Sequence, residues 1–131
     1  MLELIEKDNI KFALVYKNST IIENSIKFFS QPEDEMQVGL MQRPAGYKIA
    51  PHTHKPNIRE IQRTSEFLYV KSGLILVHFY DDDGKKITER KIGQDQFLLQ
   101  LNGGHSFDFL EDSTIIEVKQ GPFDEFEKVF L

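Results

Sequence analysis

Two histidines stand two residues apart in the stretch Pro-His-Thr-His, as His52 and His54. In an extended backbone such residues point to the same face, about 6.6 Å apart along the strand. Imidazole is largely neutral at pH 7 and is the commonest metal ligand in proteins. The spacing therefore indicates two nitrogens that could converge on one ion, against the alternative of a surface histidine pair without a ligand.

A glutamate and a third histidine could complete such a site. Glu66 leads into the apolar run Phe-Leu-Tyr-Val, and His105 follows Asn-Gly-Gly. The two glycines permit the tight backbone that a turn before His105 needs. The alternatives are a solvent-facing carboxylate for Glu66 and a packed core histidine for His105.

Other side chains could take part in proton transfer. His78 lies in the run Leu-Ile-Leu-Val-His-Phe-Tyr and is most simply a strand residue with a satisfied ring. If a pocket reaches that strand, His78 could act as a general acid or base, and Tyr47, Tyr69 and Glu117 are the other candidates.

Two arginines, Arg59 and Arg63, fall in the stretch between His54 and Glu66. A loop at the mouth of a β-structure is a usual place for specificity elements. These arginines could bind a carboxylate or phosphate of a substrate, or they could serve only as solubilising charge.

Short runs of β-branched and aromatic residues, broken by Gly, Pro, Asn and Asp, indicate an all-β protein. The predicted strands are Ile10 to Tyr16, Thr20 to Phe29, Met36 to Gln42, Tyr47 to His52, Phe67 to Val70, Leu74 to Tyr80, Ile87 to Lys91, Gln96 to Leu101, Ser106 to Leu110 and Thr114 to Lys119. A hairpin is predicted where Asp82, Asp83 and Gly84 join two alternating runs. Asp124 to Leu131 has helical spacing, with Phe126 and Phe130 on one face.

The composition limits the classes of partner. The chain has 131 residues, a net charge of −5, 16 scattered Lys and Arg residues and no Cys. We expect a single domain over residues 1–131, without a nucleic-acid track, a membrane patch, disulfides or thiolate metal sites. The acidic start lacks an apolar signal region, and no stretch approaches the roughly 20 apolar residues that span a bilayer, so a cytoplasmic protein is expected.

Taken together, these residues resemble the two sequence motifs of the cupins. Gly46, the His-x-His pair, Glu66 and Gly73 resemble the first motif. The stretch from Gly93 to Asn102-Gly103-Gly104-His105 resembles the second, and a hairpin lies between the two. The resemblance covers about Met36 to Gly121. It departs from the family in the eleven residues that separate His54 from Glu66, where three or four are usual.

The resemblance implies a cupin-type antiparallel β-barrel, also called a double-stranded β-helix or jelly roll, here with a short C-terminal helical segment. It implies one divalent metal ion on His52, His54, Glu66 and His105. Three neutral nitrogens and one carboxylate suit Fe, Mn, Ni, Cu or Zn better than Mg or Ca.

The function expected from this resemblance is metal-dependent chemistry on a small polar metabolite. The chain is similar to compact cupins whose genes often accompany surface-polysaccharide and nucleotide-sugar enzymes, which favours a sugar derivative and isomerase-like or epimerase-like Lewis-acid chemistry. An Fe(II)-dependent oxygenase, a non-catalytic metal- or sugar-binding module and a metal-free structural cupin are the alternatives. A homodimer is expected, because barrels of this family often pair and the Phe-rich ends offer apolar surface.

Overall fold

The computed structural model of the chain describes residues 2–17 and 25–131, and its strands are all antiparallel. They are β1 (Leu2–Lys7), β2 (Ile10–Tyr16), β3 (Ser25–Phe28), β4 (Gly39–Gln42), β5 (Glu66–Ser72), β6 (Leu74–Tyr80), β7 (Lys86–Gly93), β8 (Phe97–Gln100), β9 (Gly104–Phe109) and β10 (Thr114–Lys119). No helix in these described ranges is long and apolar enough to cross a membrane. The all-β class predicted from the sequence is confirmed.

Two sheets form a sandwich. The larger has the strand order β1-β2-β8-β5-β10, and the smaller has the order β7-β6-β9. Strand β6 shows why they pack, because Ile75, Val77 and Phe79 are fully buried while the residues between them are only partly buried. This alternation places one face of the strand against the larger sheet.

The core between the sheets is apolar and continuous. The smaller sheet supplies Ile75, Val77, Phe79 and Ile92. The larger sheet supplies Ile5, Phe12, Ala13, Val15, Leu68, Val70 and Leu98. Burial of these side chains is the main stabilising contribution, at about 1.5 to 3 kcal/mol for each large apolar side chain.

A third layer covers the opposite face of the larger sheet. Strands β3 and β4 form a two-stranded sheet, and Phe29 next to them packs with Tyr16 and Phe97. The rings of Tyr16 and Phe97 are stacked with their centroids 4.7 Å apart. The central strands β2 and β8 are therefore buried on both faces, which explains why all four residues of β8 are buried.

The predicted hairpin between β6 and β7 is present. The two strands pair from Leu74 with Gly93 to Tyr80 with Lys86. Gly84 has φ of 81°, while Asp81 Oδ1 accepts the backbone N–H groups of Asp83 and Lys85. Of the three predicted turn residues, Gly84 has positive φ whereas Asp82 and Asp83 do not, and the side chain that accepts backbone hydrogen bonds is that of Asp81.

One predicted strand is wrong, one lies partly outside the described residues, and one observed strand was not predicted. Tyr47 to His52 is not a strand: residues 43–65 contain no strand or helix, and Pro51 cannot donate a ladder hydrogen bond. Of the predicted strand Thr20 to Phe29, residues 20–24 lie outside the described residues, and Ser25–Phe28 is β3. Strand β1 was not predicted.

The helix predicted at Asp124 to Leu131 is wrong. Asp124 forms a single turn, in which its side chain accepts the N–H of Phe126 and its carbonyl accepts that of Glu127 at 3.3 Å. Phe126 and Phe130 are 83% and 91% exposed, so no apolar face is buried. Helices this short are marginal in water unless packing supports them, and none does so here.

The sheets are joined through side chains. Arg90 on β7 donates through Nε to Glu3 Oε1 on β1 at 2.7 Å, and Lys7 donates to Asp81 at 2.9 Å. Among the described residues no backbone ladder links the larger sheet to the smaller one, so the observed architecture is a sandwich, and the closed barrel is not shown.

Candidate functional site

Glu66 and His105 meet inside one end of the sandwich. Glu66 begins β5 and lies on the same face as the buried Leu68, while His105 on β9 pairs with the buried Phe79. Both side chains therefore point between the sheets. Glu66 Oε2 and His105 Nε2 are 3.1 Å apart, and the two side chains are only 17% and 21% exposed.

The contact changes the acidity of the glutamate. The hydrogen bond that His105 Nε2 donates holds the pKa of the Glu66 carboxyl below its ordinary value of 4.5, although partial burial acts in the opposite direction. The charges of His105, Lys119 and Lys128 lower this pKa further. Glu66 is therefore a carboxylate at neutral pH, which is the form that binds cations.

One of the two ring nitrogens of His105 forms no hydrogen bond within the described residues. Its Nδ1 is buried and has no hydrogen-bond partner within the described structure. The ring also packs against Phe107, with ring centroids 4.6 Å apart. One polar contact and one ring contact orient the imidazole, and its second nitrogen has an unused bonding capacity.

The tight turn before β9 sets the position of His105. Gly103 has φ of 70°, and a Cβ at this residue would lie 2.2 Å from the carbonyl oxygen of Tyr80. No other residue type could be accommodated there without moving the backbone. The prediction that the Gly-Gly pair makes a tight turn is confirmed at Gly103.

Two residues beside Glu66 were missed by sequence reasoning. Gln100 on β8 and Lys119 on β10 are its register partners on either side, so their side chains share its face of the sheet. Gln100 is 3% exposed and its Oε1 has no partner within the described residues. The available signal was a polar residue inside the apolar run Phe-Leu-Leu-Gln-Leu.

The C-terminal residues contact both sheets at this end. Glu127 Oε1 accepts a hydrogen bond from Lys119 at 3.0 Å, next to Glu66 in the sheet. Leu131 lies against Gly104, where an added Cβ would come within 2.7 Å of its Cδ1. These contacts place the chain terminus beside the first residues of β9.

His52 and His54 lie on a strand-free segment, residues 44–64, in which every residue is exposed. Their ring centroids are 5.3 Å apart and nearly perpendicular, and His52 Nδ1 is 2.9 Å from the carbonyl oxygen of Ala50. The two rings are neighbours, and their convergence on one ion stays a prediction.

In the structure the four expected ligands form two separate pairs, Glu66 with His105 and His52 with His54. Within residues 2–17 and 25–131, no group of three or more His, Cys, Asp or Glu side chains is arranged so that it could hold a metal ion. Glu66 and His105 are brought together, whereas the His52–His54 pair does not join them in this conformation.

The candidate acid–base residues lie in different places. His78 is on the outer face of the smaller sheet, with its ring nitrogens 3.1 Å from Glu89 and 2.7 Å from Asp108. Tyr47 is 48% exposed with the Arg43 guanidinium 4.6 Å from its ring centre. Glu117 is exposed and shares the inner face of the larger sheet with Glu66, since it pairs with Leu68.

Tyr69 is directed away from the sandwich interior and packs in the outer core. Its hydroxyl donates to Asp95 at 2.5 Å, which raises the pKa of Tyr69. Of the four candidates, Glu117 alone shares the Glu66 face of the larger sheet, while His78 lies on the outer face of the smaller one.

The two arginines differ in their contacts. Arg59 is exposed. Arg63 donates twice to the carboxylate of Asp82, at 3.0 and 3.1 Å, and lines a cleft of about 240 Å³ together with Ser65 and Asn102. Its guanidinium is therefore already paired with an acid, which reduces its availability for a substrate anion.

Comparison of the chain with models of protein families, with curated proteins and with solved structures found no match.

Proposed function

We propose that this chain is a cupin-type protein that binds one divalent transition metal ion, with Glu66 and His105 as ligands inside one end of the sandwich. The observation that supports the proposal is the 3.1 Å contact between Glu66 Oε2 and His105 Nε2. Both residues are expected ligands from the sequence motifs, and the packing of one sheet on the other brings them into contact from distant parts of the chain.

The contact fits a shared ion. Two donors bonded at ~2.1 Å to the same ion, at about a right angle, lie about 3.0 Å apart. A carboxylate oxygen and an imidazole nitrogen suit Mn, Fe, Ni, Cu or Zn. The depressed pKa of Glu66 keeps its carboxylate charged, so Glu66 itself releases no proton when it binds an ion.

His52 and His54 complete the proposed ligand set. Residues 44–64 are exposed and form no strand, so moving this segment disrupts no sheet ladder. Two further nitrogens would supply the three-His, one-carboxylate set of the cupin motifs. The proposal therefore includes a rearrangement of this segment toward the Glu66–His105 pair, together with closure of the sandwich into a jelly-roll barrel.

A bound ion of this kind supplies Lewis-acid polarisation of a carbonyl or hydroxyl group. The proposed substrate is a small polar metabolite such as a sugar derivative, and the proposed reaction is an isomerisation or epimerisation. Glu117, on the same sheet face as Glu66, is the base that best fits this arrangement, and Lys119 places a positive charge beside Glu66.

Metal binding is the first test. The protein is purified without added metal, analysed for bound elements, treated with a chelator and titrated with Mn²⁺, Fe²⁺, Ni²⁺ and Zn²⁺ by calorimetry. We expect one ion per chain for the native protein. E66Q and H105A should weaken binding at least tenfold, as is usual when the ligand environment of a metal is disturbed.

Two further variants make this test specific. H78N changes a histidine of the outer face and should leave the affinity unchanged. A double variant of His52 and His54 to Ala should weaken binding if these residues join the site. Absence of binding by the native protein at micromolar metal concentrations would overturn the proposal. Oxygen uptake by the Fe²⁺-bound protein would contradict the isomerase function and favour the Fe(II)-dependent oxygenase.

A non-catalytic binding module is the second candidate. It is favoured by two buried polar atoms of this site that have no partner in the described structure, Gln100 Oε1 and His105 Nδ1. Such atoms gain stability when a polar ligand pairs with them. Thermal shifts with a panel of sugars, in the presence of a chelator and without turnover, would favour this candidate over the enzyme.

The dimer predicted from the Phe-rich ends stays a prediction. Phe123, Phe126 and Phe130 are more than three-quarters exposed in the single chain. Light scattering after size-exclusion chromatography measures the molecular mass directly and decides between monomer and dimer.

A further inference from the structure

The interior face around Glu66 contains a third oxygen donor in Gln100. Gln100 lies directly opposite Glu66 across the β5–β8 ladder, and opposite Ala13 on its other side. Directly opposed residues of antiparallel strands have Cβ atoms about 4.5 to 5.5 Å apart and share a face. The Gln100 and Glu66 side chains therefore leave the sheet side by side, toward the space between the two sheets.

The orientation of the Gln100 amide is fixed by chemistry. Its Nε2 donates to the carbonyl oxygen of Asn102, and a carbonyl can only accept. If the amide were turned over, its oxygen would face the carbonyl oxygen of Asn102, and both atoms are acceptors. Asn102 is itself held, because its Nδ2 donates to the carbonyl oxygen of Lys11 at 2.8 Å.

The amide oxygen that results is buried and unused. Gln100 is 3% exposed, and no donor in the described part of the chain reaches its Oε1. A buried acceptor without a partner is costly, and native proteins rarely retain one. The neighbouring row of the same face is apolar, with Leu98 opposite Leu68, so an apolar residue could have been accommodated at this level of the sheet.

We infer that Gln100 Oε1 is a metal ligand of the Glu66–His105 site, and that the site favours a hard divalent ion such as Mn²⁺. This inference rests on the proposed metal-binding function. Glu66, Gln100 and His105 together offer two oxygens and one nitrogen before the His52–His54 pair is counted. Carboxylate and carbonyl oxygens favour Mn²⁺, whereas an all-nitrogen set favours Zn²⁺ or Cu²⁺.

The test compares three variants of the full chain for their affinities toward Mn²⁺ and Zn²⁺. Q100L removes the oxygen and keeps an apolar side chain of similar size. We expect a loss of about tenfold or more in Mn²⁺ affinity and a smaller loss for Zn²⁺. S65A is the matched control, because Ser65 is also buried, adjoins Glu66 in the chain and has a hydroxyl without a partner in the described structure. Its metal affinities should equal those of the native protein.

Q100E separates a ligand from a purely structural residue. The substitution keeps an oxygen in place and adds a negative charge beside Glu66. The metal-free variant should therefore melt below the native protein, and Mn²⁺ should raise its melting temperature by more than it raises that of the native protein. If Q100L does not fold, this comparison alone decides, and an equal or smaller Mn²⁺-induced shift overturns the inference.

The possible failures are distinguishable. Native binding of Mn²⁺ with unchanged affinity in Q100L would overturn the role of Gln100 and leave the Glu66–His105 proposal standing. Failure of the native protein to bind any of the ions would overturn both. Equal losses in Q100L and S65A would show that disturbed packing, and not a lost ligand, lowers the affinity, and this too would overturn the inference.

Discussion

The two pairs of expected ligands differ in how the fold supports them. Glu66 stands on a strand of the larger sheet and His105 on a strand of the smaller one, and the two largely buried side chains touch between the sheets. His52 and His54 are neighbours in the chain and lie on the exposed, strand-free segment. The comparison shows that proximity in sequence brings two side chains together locally but does not position them relative to the rest of a site.

The difference has an energetic basis. Ordering the backbone of one residue costs about 1 to 2 kcal/mol, and burial of apolar surface must offset that cost. Strands β5 and β9 adjoin the core that includes Leu68 and Val77. In the strand-free segment the apolar side chain of Ile58 is 94% exposed and contributes no burial.

Hydrogen exchange should reveal the largest contrast. Within residues 44–64 the structure describes one backbone hydrogen bond, which Tyr47 N donates to Pro44 O at 3.2 Å. We expect amides of this segment to exchange almost without protection, while those of β6 and β8 exchange only on global unfolding, which costs about 5 to 15 kcal/mol in typical domains. Mass spectrometry of peptides after timed labelling measures both.

The same measurement with added metal sharpens the comparison. New protection at His52 to His54 in the metal-bound native protein, and none in H105A, is the result expected if this segment joins the site. Strong protection of residues 48–62 before metal is added would contradict the distinction between the two regions.

Core substitution should give the next largest effect. Phe79 is fully buried and is the register partner of His105. Phe79→Ala should lower the free energy of unfolding by about 3 to 5 kcal/mol, because it leaves a cavity. Ile58→Ala should change it by less than about 0.5 kcal/mol. Urea unfolding at pH 7 measures both, and similar losses in the two variants would refute the comparison.

Much of the structure of the two sheets could be predicted from the sequence. The alternation in β6 and the glycines at the turns are local signals, and both are present in the structure. Strand β1 was missed because Asp8 and Asn9, with φ of 53° and 62°, make a two-residue hairpin turn that was not identified as one.

The remaining errors concern interactions that a local pattern does not contain. Tyr47 to His52 alternates like a strand, but it has no pairing partner in the described structure and includes Pro51. The position of Gln100 beside Glu66 depends on the β5–β8 register, and register is set by pairing between distant strands. Glu66 and His105 could be named from motifs, yet their contact depends on how the two sheets pack, which is also a long-range interaction.

The ion pair between Glu3 and Arg90 should produce a smaller, pH-dependent effect. The hydrogen bond from Arg90 lowers the pKa of Glu3 below 4.5, so the pair stabilises the folded state above that pH. This contribution is lost as the pH falls through the lowered pKa. The stability difference between the native protein and E3Q should therefore shrink as the pH falls from 5 to 3.

Urea unfolding at several pH values checks this expectation, with E60Q as the control. Glu60 lies in the strand-free segment and is exposed. A difference between the native protein and E3Q that grows on acidification would mean that the Glu3–Arg90 contact does not join the sheets in solution.

The smallest effect on stability is expected at the contact between the strand-free segment and the β6–β7 hairpin. Arg63 forms a two-fold contact with Asp82, but both side chains are 50% exposed, and such pairs contribute at most about 1 kcal/mol. Arg63→Ala should therefore change the free energy of unfolding by less than that, and it should leave the hydrogen exchange of β6 unaffected. A loss above about 3 kcal/mol would show that the segment is an integral part of the fold, because only buried or cooperative interactions reach such values.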